Sequence, residues 1–317
     1  MILSNIVVQN TVCEPRASRQ LAPSWTVQKD LEEIMEKITS TALADLTFVA
    51  FDVETTGLSP VAQRLVEISG VKFGAGVEEP AIFSRLINPE CPIPREVQRI
   101  HGITDEMVRE EPTFREVIPE FIEFVGDCVL MAHNAPFDVE FVRVSLARLG
   151  MPFPKNKVVD TLVMSRELMP DAPRHQLKTV VELLGLPAGD YHRALADSVH
   201  VRDVFLKLIA ASGLADFEAL EIMGAVSAFD FDRHAESVRA SMPEQSVAIM
   251  DSISRAIELR QVMKMTYNGT YRSNRTVLPL SLIHSRGQFY LNAICQSLQA
   301  ERTFRVDRID KVVVNSG

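Results

Sequence analysis

The order of apolar and polar positions divides the chain into two patterns. From Thr47 the sequence is apolar on consecutive positions until it ends on Asp52-Val53-Glu54. Side chains alternate in a strand, so Phe48, Ala50, Asp52 and Glu54 share one face, and Val49, Phe51 and Val53 the other. A run apolar on both faces predicts a central strand covered from each side. Strands over 64–73 and 81–88 complete an antiparallel set. Thr113-x-x-Glu116 is a capping box for a helix to about Val125. The run Cys128–Ala132 predicts a strand leading into a helix over 136–149, with Pro136 in its first turn, where no N–H is needed. A strand over 157–160, a helix over 177–184 and a helix from about Arg193 to Ala211 follow. On the last of these, Asp197 shares a stripe with Val201, Val204 and Leu208. Strands first and alternating helices later predict an α/β unit, a mixed sheet flanked by helices.

The ends of the chain read differently. Residues 1–44 are an N-terminal extension followed by a helix capped at Ser24 or Thr26, with Leu31, Ile34, Met35 and Ile38 on one stripe. Residues 213–244 read as a partly helical linker. A helix from about Ser246 then gives way to short strands around 264–267, 275–282, 288–294, 303–306 and 311–314. The turns Asn268-Gly269 and Ser285-Arg286-Gly287 separate them, which predicts a small all-β module over 245–317.

Composition adds bounds. The chain has 317 residues, 46% hydrophobic and 24% charged, the profile of an ordinary folded protein with room for two domains. No apolar stretch is long enough to span a membrane, and the four cysteines are scattered with no CxxC pair. A cytoplasmic location is expected. The net charge of -9 conceals an asymmetry. Residues 245–317 hold ten Lys/Arg and five Asp/Glu, a net +5, and the remainder carries −14.

The candidate chemistry begins with Asp52 and Glu54. Side by side they repel. A divalent cation held by hard oxygen ligands would neutralise them; so would a turn begun by Asp52 that leaves Glu54 in solvent. Asp138 stands in the first turn of its predicted helix, and His192 lies on a loop five positions before Asp197.

Taken in order, Asp52-x-Glu54-Thr55-Thr56-Gly57, Asn134-Ala135-x-Phe137-Asp138 and His192-x-Ala194-x-x-Asp197 resemble the three exonuclease motifs of the DEDDh (DnaQ-like) superfamily. The resemblance extends to the epsilon proofreading subunit of bacterial DNA polymerase III. It covers about residues 45–212 and includes His101-Gly102-Ile103-Thr104 and Asp160-Thr161-Leu162. It implies a ribonuclease H-like fold and a 3′–5′ exonuclease using two divalent metal ions, Mg²⁺ or Mn²⁺. Asp52, Glu54, Asp138 and Asp197 would be the metal ligands, and His192 the general base. Thr55, Thr56, Leu58, His101, Asn134 and Phe137 would contact the terminal nucleotide, with Leu58 as a wedge. His200 reads as helix surface.

The C-terminal module has its own resemblance. Thr266-Tyr267, Leu278-Pro279-Leu280, Phe289-Tyr290-Leu291 and Phe304–Ile309 are similar to a WYL domain, an Sm-like barrel, although Phe stands where the naming tripeptide has Trp. The resemblance implies binding of nucleic acid or nucleotide-like anions; separately, the clustering of Arg302, Arg305 and Arg308 in one basic segment makes them the candidate contacts, a bend or bulge being needed to bring all three together. In a strand Arg302 and Arg308 share a face that Arg305 does not. A plain oligomerisation barrel is the other reading. The expected substrate is nucleic acid with a free 3′ end, DNA before RNA, in repair or proofreading with a polymerase or repair partner. RNA trimming and a nucleic-acid-sensing regulator are the alternatives.

Overall fold

In a computed structural model, residues 42–189, 191–214, 216–228 and 231–314 are described. The predicted stripe Leu31–Ile38 lies outside them. After a 3-10 turn, Ala42–Asp45, the order is β1 (Thr47–Thr55), β2 (Leu65–Gly74), β3 (Ala81–Leu86), α1 (Arg95–His101), α2 (Asp105–Val108), α3 (Phe114–Val125), β4 (Val129–Ala132) and α4 (Ala135–Arg148). Then come β5 (Lys157–Asp160), α5 (Thr161–Leu168), α6 (Leu177–Leu183), α7 (Ala194–Ser212), α8 (Phe217–Ile222), β6 (Val226–Ala228) and α9 (Phe231–Ala240). The chain continues through α10 (Glu244–Glu258), β7 (Met263–Asn268), β8 (Arg272–Ser285), β9 (Gln288–Cys295), β10 (Ala300–Arg305) and β11 (Ile309–Val314).

The first sheet runs β3-β2-β1-β4-β5-β6, with β1 antiparallel to β2 and parallel to β4. The two faces of β1 are covered as the alternation requires. Phe48 and Ala50 pack with Met131 and with Val201, Val204 and Phe205 of α7. Val49, Phe51 and Val53 pack on the other side with Ile118 and Phe121 of α3 and Phe141 of α4. The capping box at Thr113 is present, both halves made through Glu116.

Several expectations give way. Residues 213–244 are not merely a linker: β6 pairs antiparallel with β5, so the first sheet extends past residue 212. His101 is not in a loop; it closes α1 and is buried. His200 is not on the surface. Its imidazole bonds the carbonyls of Ala196 and Pro187 and stacks on Tyr191, because the segment before α7 folds back over the helix. At Gly189 a Cβ would stand 2.5 Å from His200 Cε1, so a side chain there would have to displace the imidazole. The second sheet is antiparallel with the order β10-β9-β8-β7-β11; no pairing joins β10 to β11 among the described residues, so a closed barrel is not shown. Its inner face and α10 form a separate core around Ile253, Met263, Val277, Leu291 and Phe304.

The two units touch at specific groups. Glu140 and Arg143 of α4 form a buried ion pair, Ser285 donates to Glu140, and Arg143 donates to the His284 carbonyl. No helix among the described residues is long and apolar enough to cross a membrane.

Candidate active site

Three elements deliver the carboxylates to one place. β1 carries Asp52 and Glu54 on the face turned toward α7. Because β1 and β4 are parallel, the start of α4, just after β4, lies at the end of β1 where these acids sit. There Asp138 accepts a hydrogen bond from the Val53 N–H at 3.2 Å. The first turn of α7 brings Asp197, whose Oδ2 accepts the His192 N–H at 3.0 Å. That bond ties the histidine's loop to the helix it precedes. His192 is exposed with φ +65°, in the left-handed region.

The electrostatics show how crowded the site is. Burial, then Asp138, Glu54 and Asp197, hold Asp52 well above the ordinary carboxylate range. Burial, then Asp197, Glu67 and Asp138, push Glu54 up to about 8. Asp138 is raised chiefly by burial, partly opposed by its Val53 hydrogen bond. Asp197 is raised by burial and lowered in part by the His192 N–H. Its Oδ1 is buried and has no hydrogen-bond partner. An unsatisfied buried oxygen among repelling acids is a donor set that fits a hard divalent cation. Glu54, His192 and Asp197 each offer a ligand atom, all within 4.8 Å of one another.

Around this cluster, the residues expected to meet a nucleotide divide into two kinds. Thr55 and Thr56 are buried, and their hydroxyls hold the following loop: Thr55 bonds the Gly57 carbonyl at 2.7 Å and Thr56 the Gln63 side chain at 2.8 Å. Leu58 is 81% exposed at the loop's tip, and Asn134 is exposed at the start of α4. Phe137 lies against Phe141, ring centroids 4.9 Å apart. His101 accepts the Ile103 N–H on Nδ1, so its buried Nε2 carries the proton and has no partner. Burial lowers its pKa, opposed in part by the Thr55 backbone and the Glu67 carboxylate.

Glu67 is a further buried acid that sequence reasoning passed over. It stands opposite Glu54 in the β1–β2 register. Its carboxylate binds the Arg193 guanidinium at 2.8 Å and accepts the Ala194 N–H at 2.9 Å. It therefore fixes the start of α7 and, through it, the His192–Asp197 segment. The signal was available: a lone charge within the otherwise apolar run Leu65-Val66-Glu67-Ile68.

A 3-10 turn over 306–308 breaks the strand alternation between Arg302 and Arg308. Arg305 is engaged by Asp307 at 2.6 Å and by Gln288 at 3.1 Å.

Residues 49–205 match the exonuclease family (RNase_T), and residues 248–314 match the WYL domain. The chain is similar to a DNA polymerase III PolC-type of Caldanaerobacter subterraneus subsp. tengcongensis, 37% identical over 162 residues, covering 51% of this chain and 11% of that protein. It is also similar to a DNA polymerase III subunit epsilon-like protein of Rhodobacter capsulatus, 39% identical over 190 residues, covering 58% of this chain and 27% of that protein. The match thus spans between about a tenth and about a quarter of those relatives' length. Among solved structures, exonuclease X in complex with 5′ overhanging duplex DNA is 26% identical with a TM-score of 0.45, covering 56% of this chain and 99% of that one.

Proposed function

We propose that this chain, which joins an exonuclease domain of the DnaQ-like family to a WYL domain, removes nucleotides from the 3′ end of nucleic acid by hydrolysing the terminal phosphodiester. The observation that carries this is the meeting of Asp52, Glu54, Asp138 and Asp197, drawn from three separate elements, with His192 on the adjoining loop. DNA is the favoured substrate, because the relatives above are named for DNA polymerase III.

Asp52, Glu54, Asp138 and Asp197 would hold divalent ions, Mg²⁺ or Mn²⁺ by the all-oxygen character of the acids. When bound, such ions polarise the scissile phosphate and offset the charge that builds up on its oxygens. The residues supply the rest. His192, exposed and with a ring nitrogen within 4.8 Å of the Glu54 and Asp197 carboxylates, accepts the proton of the attacking water. Asp197 holds the His192 backbone, and Glu67 holds the helix start that carries both. Exposed Leu58 lies beside the terminal base and closes the path beyond it. Contacts to a terminus and to backbone atoms, with few to base edges, make the reaction tolerant of sequence.

The test compares 3′-labelled and 5′-labelled single strands of DNA and of RNA with Mg²⁺ or Mn²⁺. Stepwise shortening from the 3′ end, faster on DNA, is the expected result. Cleavage that persists in excess chelator, or in Asp52→Ala, overturns the reading. Faster trimming of RNA keeps the chemistry and changes the substrate.

A further inference from the structure

A cleft at the junction of the two domains is not accounted for by the carboxylate cluster. It has a volume of about 300 Å³ and is walled by Asn134, Phe137 and Arg143 of the α4 segment, His284 and Arg286 of the β8–β9 hairpin, and His234 of α9. Phe137 immediately precedes Asp138 and Asn134 lies four positions before it, so the cleft stands next to the helix start that carries this acid.

Its chemistry is that of an anion site. The one carboxylate on its wall, Glu140, is already bound by Arg143 at 2.6 Å and by the Ser285 hydroxyl at 2.6 Å. His284 is only 7% exposed, and neither of its ring nitrogens has a hydrogen-bond partner. A buried imidazole with both nitrogens unsatisfied calls for a ligand. Burial, Arg143 and His234 push His284 down to about 4, so it stays neutral and keeps one N–H to donate. Arg286 (φ +48°) and Gly287 (φ +74°) form a two-residue left-handed turn, which sets the arginine at an exposed, fixed tip. The Arg143 bond to the His284 carbonyl pins this hairpin onto α4.

We propose that the cleft carries the phosphate backbone of the substrate strand just upstream of its terminal nucleotide, with Arg286 as the phosphate contact and His284 beside it. The second domain then completes the substrate path, and the contact lies at the hairpin tip rather than in the Arg302–Arg308 segment. This rests on the exonuclease reading and extends it.

The experiment measures KM for Mn²⁺-dependent shortening of a strand of about three nucleotides and one of about twelve, across a salt series. The full chain is compared with Arg286→Asn, which suits the left-handed backbone, and with Arg286→Lys, which keeps the charge. In Arg286→Asn the KM of the long strand should rise about tenfold more than that of the short one. Its salt slope should fall by about one, the signature of one lost phosphate contact. Arg286→Lys should recover most of the loss. If Arg286→Asn affects both strands equally or neither, with the salt slope of the unmodified chain, the cleft is not the strand's path although the exonuclease reading stands. If the unmodified chain shortens no strand, both fall together.

Discussion

Asp52, Glu54, Asp138 and Asp197 all bind protons more tightly in the folded protein than in an unfolded chain. Linkage then fixes how the metal-free protein responds to pH. Raised carboxylates favour folding while protonated, below their unfolded pKa. That contribution is lost as pH rises from 4.5 toward about 8, the values for Glu54. Thermal melts in chelator should therefore show a falling Tm between about pH 5 and pH 8, and Mg²⁺ or Mn²⁺ should reverse the fall. Glu54→Gln should flatten the metal-free profile; an unchanged slope would remove Glu54 from the cluster. His192 belongs to the same scale but behaves differently. It is exposed and left-handed, so His192→Asn keeps the backbone geometry and should leave Tm nearly unchanged. Turnover should drop by roughly 10²–10⁴, as for loss of a general base; near-normal turnover would make His192 a structural residue. These five residues were visible in the sequence because each sits in a short motif with fixed local spacing. Glu67 was not, because its partners Arg193 and Ala194 are 126 and 127 positions away.

Among the elements, the join between β2 and α7 carries the most consequence for the site. Glu67 is 2% exposed and holds both the Arg193 side chain and the Ala194 N–H at the helix start. Glu67→Ala leaves that buried N–H without an acceptor. A loss of about 1.5–3 kcal/mol is expected, the usual worth of hydrogen bonds to a charged group. Urea unfolding measures it, and a change under about 0.5 kcal/mol, the size of an ordinary surface substitution, would show that the bonds do not anchor α7. Other elements were legible to the extent that they repeat a pattern. The two-face burial of β1 and the capping box at Thr113 follow from runs long enough to show period or spacing. The short helices α1, α2 and α5, of 7, 4 and 8 residues, show too few turns for an apolar stripe. The 3-residue β6 is a strand only because β5 offers it an edge, and nothing within Val226–Ala228 announces that.

For the whole molecule, the separation of charge between the two halves was legible, and the docking of the halves was not, since it depends on pairs more than 140 positions apart. Those pairs make the arrangement more than a tether. The loop behind Leu58 is held from one side by Arg148, which bonds the Pro60 and Val61 carbonyls, and from the other by Thr303, which donates to the Val61 carbonyl at 3.0 Å. Arg64 of the same segment pairs with Glu301 at 2.7 Å, a partly exposed contact worth little by itself. The buried Glu140–Arg143 pair is different, with both side chains nearly out of solvent and Ser285 and the His284 carbonyl completing it. In Arg143→Ala the Glu140 carboxylate keeps only the Ser285 hydroxyl, and the hairpin loses its donor on α4. Removing one partner of a buried pair costs about 3–5 kcal/mol, and here the loss falls on the contact between domains. The unmodified chain should therefore melt in one transition, whereas Arg143→Ala should melt earlier and in two, its first domain separating from its second. Calorimetry distinguishes the cases. One transition at the original midpoint would mean that the domains are joined elsewhere, and the Thr303–Val61 contact would be the next to test.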